Sequence, residues 1–456
     1  MRDIVYTVSP PKKRKKGISL SILILFAFSS VFFSRLLTLV KIPAIINIVH
    51  YGIIPFICGI TLIKTQLKDR HQIAIVKDLS IALFVFFIIN IASAFLNDAA
   101  LINACLNYLF LCEHFLFLLA IISIPLTIKK VVQFRKYILF ASFTNLFLAY
   151  VQKYVLKLHL QEGLEDNIKG VFVGGGAGHV VGASVTLTFG IYYFFTAKQR
   201  PIWLRALVFL ATFWHMNMAD AKQVLLVFLV AGVILLSTKF KNIGQAIQYL
   251  IPGILLIYIL YWVIYNIPAL SGFLTWARPE IYGPQGEATL LKTATFRIVS
   301  TYYNSVLDPW LGIGPGHTVG RLGGWMLESY WNLLGPLGAT IHPASHAIWQ
   351  AVVASWLGSQ SSMFSPLFGW AGIWGDLGFL GLASFLYIWF VVWDRLCFDD
   401  LSRFFVLTIL VFGLIFSQME EPGYMIYMAT LIGLRWHEYQ YLKRNHAFKY
   451  KDQRKA

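Results

Sequence analysis

Charged residues are scarce in this chain, and their scarcity excludes a soluble globular protein. Asp, Glu, Lys and Arg together make up 13% of the 456 residues, whereas 58% are hydrophobic. Soluble domains carry about a quarter charged residues. Acidic residues are the rarer kind, with 21 Asp and Glu against 38 Lys and Arg, so the formal net charge is +17. Most of this excess stands in short segments between apolar runs, where it orients membrane helices, and we expect no nucleic-acid partner.

Cysteine is equally scarce, and its placement excludes a disulfide framework or a zinc site. Three of the four cysteines fall inside apolar runs and the last stands at the edge of one: Cys58, Cys105, Cys112 and Cys397. The N-terminal segment places the basic run 12–16 before its first apolar run, as signal peptides do. It lacks a small-x-small cleavage pattern, so we expect an uncleaved first membrane span.

The chain is rich in long apolar runs, and about twelve of them reach the length that crosses a bilayer as a helix. They are 18–34, 43–63, 79–96, 101–126, 137–156, 171–196, 202–218, 221–238, 247–267, 366–393, 404–419 and 422–436. The pattern predicts an all-α polytopic membrane protein. Residues 1–267 would hold spans 1–9, residues 268–365 a large loop, and residues 366–456 spans 10–12 with a basic tail.

Positive charge alternates along the connections between these runs. One set of connections holds most of the Lys and Arg, including 12–16, 64–77 and the tail from 435 to 455. The other set is nearly bare and includes Asn97-Asp98 and Glu420-Glu421. The positive-inside rule therefore predicts cytoplasmic N- and C-termini and an extracytoplasmic 268–365 loop.

The 268–365 loop is the only long hydrophilic stretch, and we expect the chemistry of the protein there. Apolar residues at helical spacing predict a helix over 289–307 that ends at Asp308-Pro309. The glycine-rich run 312–316 predicts a turn. Residues 322–365, rich in Trp, Gly and Pro, are expected to lie against the membrane surface.

Two cations are candidate anion ligands. Arg297 lies on the predicted loop helix, and its planar guanidinium suits phosphate or carboxylate, although a pair with Glu280 or Glu287 is the alternative. Lys222 follows Asp220 at the predicted outer turn before the eighth span, near lipid headgroups. The alternatives to anion binding by Lys222 are snorkelling at a helix end and an ion pair with Asp220.

Histidines in the loop are candidate general bases, because imidazole accepts protons near neutral pH. They are His317, His342 and His346, with Arg321 as a further loop cation. His342 and His346 have the i, i+4 spacing of a metal pair, but Pro343 between them disfavours that interpretation. Glu113-His114, in the middle of a predicted span, must face the bundle interior.

The run Phe296-Arg297 followed by Asp308-Pro309-Trp310-Leu311-Gly312-Ile313-Gly314-Pro315-Gly316 resembles the central motif of the O-antigen ligase/polymerase superfamily. That superfamily includes Wzy-type polysaccharide polymerases, WaaL-type ligases and protein O-oligosaccharyltransferases. The predicted spans, the large loop between the ninth and tenth, and the run 375–381 opening the tenth are similar to the family as well. The topology covers nearly the whole chain and the motif about 100 residues of it.

The resemblance implies a GT-C-like fold and a polymerase acting at the outer face of the bacterial inner membrane. It would join undecaprenyl-diphosphate-linked oligosaccharide units into O-antigen, capsule or exopolysaccharide by inverting glycosyl transfer that requires no metal or cofactor. Lys222 and Arg297 match the family's two donor cations and would hold the diphosphate. Asp220, Arg321 and His317 would contact substrate. The implied partners are the lipid-linked donor and acceptor, membrane lipid, a flippase and a chain-length regulator.

One departure bears on the acceptor. Ligases carry a histidine shortly before the Gly-x-x-Gly segment, where this chain has 361–365 without one. We therefore favour a polymerase, with His346 as the first choice of base and His342 or His317 as alternatives. If no histidine serves, Glu328 and Asp376 are the candidate carboxylates.

Other functions stay open at this point. A ligase to lipid A-core or to protein is the nearest alternative. A lipid-linked oligosaccharide flippase is a different class, but transporters usually show paired half-repeats, and none is evident here. An envelope scaffold has no positive support in the sequence.

Overall fold

A computed structural model describes residues 19–65, 69–161, 165–174, 177–239, 279–360 and 362–453, with four short pieces between 253 and 266. These residues form helices and turns, and none of them forms a β-strand. The predicted ninth span, 247–267, lies largely outside the described residues, as do the basic run 12–16 and the loop residues 268–278.

Twenty α-helices are described. The first ten are α1 (Leu20–Phe32), α2 (Ser34–Thr38), α3 (His50–Lys64), α4 (Arg70–Leu96), α5 (Leu101–Ser123), α6 (Ile128–Tyr150), α7 (Leu158–Gln161), α8 (Gly178–Thr196), α9 (Ile202–Met218) and α10 (Lys222–Ser237). The loop holds α11 (Glu287–Lys292), α12 (Ala294–Val299), α13 (Asp308–Leu311), α14 (Leu327–Ser329), α15 (Trp331–Leu334), α16 (Pro343–Ala354) and α17 (Trp356–Gln360). The last three are α18 (Gly369–Leu396), α19 (Asp400–Phe412) and α20 (Pro422–Gln453).

Within the described residues, five helical stretches are long and apolar enough to cross a membrane: Ile45–Lys64, Arg70–Leu96, Leu101–Ser123, Gly178–Thr196 and Gly369–Leu396. Two shorter apolar helices, α1 and α10, accompany them. The prediction of an all-α protein with membrane-spanning helices is confirmed in the composition and length of the described helices. The count of twelve spans and the sidedness of the loop stay predictions.

Several predicted spans have different bounds. Helix α4 begins at Arg70 because the Asp69 carboxylate accepts a hydrogen bond from the His71 backbone N–H, which caps the helix nine residues before the predicted start. The predicted span 171–196 is helical only from Gly178. The segment before it is pinned in a non-helical form: Asn145 accepts from Val171 N–H at 2.9 Å, and Gln152 accepts from Gly170 N–H at 2.7 Å.

The main apolar core is centred on α5, which packs against α3, α4 and α20. Its largest fully buried side chains are aromatic, among them Phe115, Tyr424 and Tyr427. Helix α18 packs against α4, and α10 packs against α19.

The loop is a set of short helices that pack on the apolar helices. The predicted helix over 289–307 is wrong in its continuity: α11 stops at Lys292, α12 runs to Val299, and a 3₁₀ turn ends at Tyr302. Asp308-Pro309 begins α13 and ends no helix, because proline fits the first turn, where its missing N–H is not needed. The Asp308 carboxylate accepts the N–H groups of Asn304 and Ser305 and so holds the preceding turn.

Candidate functional site

Two glycine-containing segments, 312–316 and 375–381, interlock backbone to backbone. Gly312 has φ +73, and a Cβ there would lie 2.3 Å from the Asp376 carbonyl carbon. Gly378 has φ +63 within α18, and a Cβ there would lie 2.4 Å from the Trp310 carbonyl carbon. Only glycine tolerates both the left-handed backbone and this approach. The turn predicted at 312–316 is therefore confirmed, and its counterpart is the kink of α18.

The kink at Gly378 lets α18 hydrogen-bond to the loop. The Gly375 carbonyl accepts from Ile313 N–H at 2.9 Å, and the Asp376 carbonyl accepts from Gly314 N–H at 3.1 Å. The Asp376 carboxylate accepts from Gly316 N–H at 2.8 Å and from the Thr318 N–H and hydroxyl at 2.9 and 2.6 Å. Asp376 is buried, and these bonds direct its oxygens at the loop backbone. It thus fixes the conformation of 312–318.

His317 lies within this fixed turn and is almost completely buried. Its Nδ1 lies 2.8 Å from the Ile313 carbonyl, so Nδ1 carries the proton and donates it. Its Nε2 then accepts from the Thr340 hydroxyl at 2.9 Å. Burial lowers the pKa of His317 to about 4. With both ring nitrogens engaged, His317 is held neutral and is a poor candidate for the substrate contact that the sequence predicted.

His342 stacks on His317, with ring centroids 5.1 Å apart, and caps the start of α16. Its Nδ1 accepts the Ala344 backbone N–H at 3.1 Å, which places the ring proton on Nε2. Burial lowers the pKa of His342 from its ordinary value. In this tautomer Nε2 donates, so His342 would have to give up its capping bond to accept a proton from a substrate.

His346 lies one helical turn further along α16 and is exposed. Helix α16 packs against α12, which carries Arg297. The structure therefore places the two leading sequence candidates on adjoining helices. Of the three loop histidines, His346 is the exposed one, because His317 is buried and His342 is half-buried.

Arg297 is exposed, and its guanidinium Nη2 donates to the Leu290 carbonyl at 2.6 Å. Two neighbouring residues anchor the helix that carries it. Phe296 packs on Trp374 of α18 with ring centroids 4.9 Å apart, and the Thr295 hydroxyl donates to the Pro366 carbonyl at 3.1 Å. This contact is with a backbone carbonyl, whereas the sequence had offered an ion pair with Glu280 or Glu287 as the alternative.

Lys222 and Asp220 form an ion pair of 2.6 Å at the start of α10, and Asp220 has a positive φ of 49. This is the pairing that the sequence offered as the alternative to substrate binding. Helix α10 packs against α19, α9 and α8, whereas α12 packs against α16 and α18. The convergence of Lys222 and Arg297 on one diphosphate stays a prediction.

Arg321, predicted as a substrate-binding residue, is surrounded by protein groups, and its contact with substrate stays a prediction. Its side chain is 10% exposed and forms a buried ion pair with Glu421, and its backbone N–H donates to the Glu420 carboxylate at 2.5 Å. Glu421 in turn pairs with Arg35 at 2.7 Å. Burial alone would raise the pKa of Glu421, but Arg321 and Arg35 hold it below its ordinary value. Such a charge stays buried because its partner neutralises it.

Sequence reasoning missed the buried polar groups that support the loop. Glu420 lies beside Gly320 and Asp376, and burial raises its pKa to about 8. Lys292 donates to three carbonyls, those of Met363, Ser365 and Ile415, at 3.0 to 3.2 Å. Burial lowers the pKa of Lys292 to about 7, while the three carbonyls favour the ammonium form. The only sequence signal was the presence of these charges in a chain with few of them.

No known protein family matches the chain, and no curated protein matches it either. Within the described ranges no three His, Cys, Asp or Glu side chains come close enough to hold a metal ion.

Proposed function

We propose that the protein is a membrane glycosyltransferase that polymerises undecaprenyl-diphosphate-linked oligosaccharide units into O-antigen, capsule or exopolysaccharide. One observation carries the proposal. Arg297, in the segment that resembles the ligase/polymerase motif, is exposed on a helix that packs against the helix bearing the exposed His346. An anion ligand and a proton acceptor on neighbouring elements are what glycosyl transfer from a diphosphate donor requires.

The reaction is an inverting displacement at the anomeric carbon of the donor. The acceptor hydroxyl oxygen forms the new glycosidic bond, and the bond from that carbon to the diphosphate oxygen breaks. The hydroxyl proton passes to His346, and undecaprenyl diphosphate leaves with the electron pair of the broken bond. Arg297 stabilises the charge that develops on the diphosphate, which its planar fork can contact through two oxygens. Lys222 is proposed as the second cation.

Rigid mounting of these side chains supports the proposal. The positions of catalytic groups have to be held within a fraction of an ångström, and loops achieve this only when other elements support them. Helix α12 is anchored by Phe296 and Thr295, and α16 is capped by His342, which stacks on the neutral His317. The turn that holds His317 is in turn fixed by Asp376.

The setting of the site follows from the charge pattern. We place the 268–365 loop on the outer face of a bacterial plasma membrane, between the ninth and tenth of about twelve spans, with both termini in the cytoplasm. The donor and acceptor would both reach the loop from the membrane, since each carries a polyprenyl chain. A flippase would supply them, and a chain-length regulator would limit the product.

The test replaces Arg297 in cells that depend on this protein for polymer. Arg297→Ala should abolish polymer while the protein still inserts, because the side chain makes one carbonyl contact and is exposed. Arg297→Lys should also be poor, since a point charge cannot reproduce the planar fork. Thr301→Ala, exposed just beyond the same helix, is the matched control and should leave polymer unchanged.

Electrophoresis of the surface glycan separates the outcomes. Loss of the ladder of repeat units with a retained single unit indicates polymerase activity. Loss of every glycan from lipid A-core or protein indicates the ligase alternative. Near-normal polymer from Arg297→Ala would overturn the donor assignment.

A further inference from the structure

Residues 329–341 form an apolar surface segment that no catalytic argument explains. The segment contains no charged side chain. It contains the last residue of α14, the turn residue Tyr330, α15 (Trp331–Leu334), a 3₁₀ turn over Gly335–Leu337, and residues 338–341, which form no helix. Four of its exposed side chains are large and apolar, namely Trp331, Leu333, Leu337 and Ile341, which are 42, 39, 60 and 41% exposed, and the uncharged Ser329 and Asn332 are exposed beside them. Apolar surface residues scattered singly need no explanation, but a run of them without charge marks an interaction surface.

The inner side of this segment belongs to an apolar cluster that it shares with helices long enough to span the membrane. Leu334 and Ala339 belong to one apolar cluster with Tyr51 of α3 and Phe110 of α5. Ile102, Leu106 and Leu109 of α5 pack against the same cluster. The segment therefore lies along the first turns of α5 and does not stand above it.

The depth of these contacts can be gauged from helix geometry. Helix α5 has 23 residues, so at 1.5 Å per residue it is about 35 Å long, against about 30 Å of bilayer hydrocarbon. Phe110 lies about 13 Å along the helix from its start. If α5 spans the bilayer, little of it protrudes, and Phe110 lies below the headgroup layer, which is about 5–8 Å thick on each side.

Hydrogen bonds fasten the end of the segment to the first residues of α5. The Asn103 side chain donates to the Thr340 carbonyl at 2.8 Å and accepts the Thr340 N–H at 3.1 Å. The Ala100 N–H donates to the Thr340 hydroxyl at 3.2 Å. These bonds fix the height of the segment relative to the membrane helix, so it cannot lift away without breaking them.

The backbone of the segment is also suited to an apolar environment. Leu334 N–H donates to the Tyr330 carbonyl, Gly338 N–H to Gly335 and Ala339 N–H to Leu334, at 2.8 to 3.1 Å. Irregular backbone at membrane depth is tolerated only where its polar groups are paired. Tyrosine and tryptophan, present as Tyr330 and Trp331, are the side chains that favour the membrane–water interface.

We propose that residues 329–341 are an interfacial anchor, embedded in the bilayer leaflet at the α5 N-terminal end, and that phospholipid covers their exposed face. The anchor holds the loop, and the α16 helix that follows it, at the level of the lipid headgroups. This inference rests on the packing against α3 and α5 and is independent of the proposed catalytic activity.

Site-directed labelling tests the anchor directly. Cys105, the exposed native cysteine, is replaced by alanine, since Cys58, Cys112 and Cys397 are buried. Single cysteines are then introduced as Leu337→Cys and Trp331→Cys, with Ser300→Cys, exposed at the end of the Arg297 helix, as the matched control. Each protein carries an environment-sensitive thiol fluorophore and is placed, one copy per disc, in phosphatidylcholine nanodiscs.

Two quenchers then compete for the label. Doxyl-labelled phosphatidylcholine should quench the label at 337 and 331 several-fold more than aqueous iodide does, and the label at 300 should show the reverse order. Iodide quenching at 337 and 331 equal to that at 300 would overturn the proposal. Protection from both quenchers would also overturn it, because protein and not lipid would then cover this face. If the labels at 331 and 337 give the same result, a local effect of either substitution does not explain it.

Discussion

The Asp376 carboxylate accepts hydrogen bonds from both the backbone N–H and the hydroxyl of Thr318, at 2.9 and 2.6 Å, across 58 positions of sequence. This contact joins the kinked apolar helix to the glycine-rich turn of the loop. From Thr318 the support continues to His317, which stacks on His342, the cap of the helix that bears His346. A change at Asp376 should therefore alter the position of the helix that bears the exposed His346, even though Asp376 itself is buried.

Asp376→Asn should destabilise the protein by roughly 2–4 kcal/mol, since the amide offers one acceptor oxygen where the carboxylate receives three hydrogen bonds. The amide NH₂ would also face backbone N–H donors. Thermal unfolding in detergent measures the loss. Thr318→Ser keeps the hydroxyl and should therefore lose much less stability than Thr318→Val. An unchanged unfolding temperature in Asp376→Asn would show that the carboxylate does not hold the turn.

The orientation of the loop is the second prediction. A reporter that is active only outside the cytoplasm should be active when fused at Gln285, which is exposed, and inactive when fused at Lys451 in the basic tail. The reason is the concentration of Lys and Arg in the connections on the other side. A cytoplasmic signal from Gln285 would remove the basis for a lipid-linked donor arriving from the outer leaflet.

Arg321 provides the third prediction, which separates structural from substrate-binding roles. Arg321→Ala leaves Glu421 with Arg35 as its remaining charge partner and should lower stability by about 3–5 kcal/mol. Adding Glu421→Gln should recover part of this loss, because the uncompensated charge is removed with its partner. If Arg321→Ala instead unfolds at the wild-type temperature and loses activity, Arg321 contacts substrate as the sequence predicted.

The fourth prediction concerns acid stability. His317 has a folded pKa of about 4, against an unfolded value of about 6.5. Above pH 6.5 the ring is neutral in both states and has no effect. Between pH 6.5 and 4 the unfolded chain binds a proton that the folded protein does not, so stability falls as the pH is lowered, by up to about 1.4 kcal/mol per pH unit. His317→Gln should show a shallower decline in unfolding temperature over this window. His342 is present in both proteins, so an identical decline would show that the folded protein does not lower the pKa of His317.

Local sequence patterns predicted the helices well where no distant side chain intervenes. The run 101–126 is α5, Leu101–Ser123, and the run 202–218 is α9, Ile202–Met218. The run 171–196 failed at its start because Asn145 and Gln152, 26 and 18 positions earlier, satisfy the backbone of a non-helical segment. Such long-range hydrogen bonds cannot be predicted from apolar composition alone.

The candidate site was also only partly predictable, because local signals were readable and long-range contacts were not. The glycines at 312 and 378 were recognisable as turn and helix signals separately, but their contact across the chain was not. Arg321 and Glu421 stand 100 positions apart, and nothing local distinguishes a buried paired arginine from an exposed one. Arg297 and His346 were predicted from residue type and position; their helices do adjoin, and their roles stay predictions.

The last prediction is the proton acceptor. His346→Ala should slow glycosyl transfer by about 10²–10⁴-fold, the usual contribution of a general base, while the donor still binds. The structure favours His346 because His317 has both ring nitrogens engaged and His342 uses Nδ1 as a helix cap. Transfer is measured with purified protein and lipid-linked donor, and donor binding is measured separately by protection against thermal unfolding.

Further variants distinguish proton transfer from support of the helix. His346→Gln retains a hydrogen-bonding side chain but cannot take up a proton at neutral pH, so it should be nearly as slow as His346→Ala. Because His346 is exposed, neither change should lower the unfolding temperature. His342→Ala should reduce stability through the lost cap by about 1 kcal/mol, with a smaller effect on the chemical step. Full activity in His346→Ala would mean that no base acts from α16. The displacement would then depend on the cations alone, with the acceptor proton passing to water.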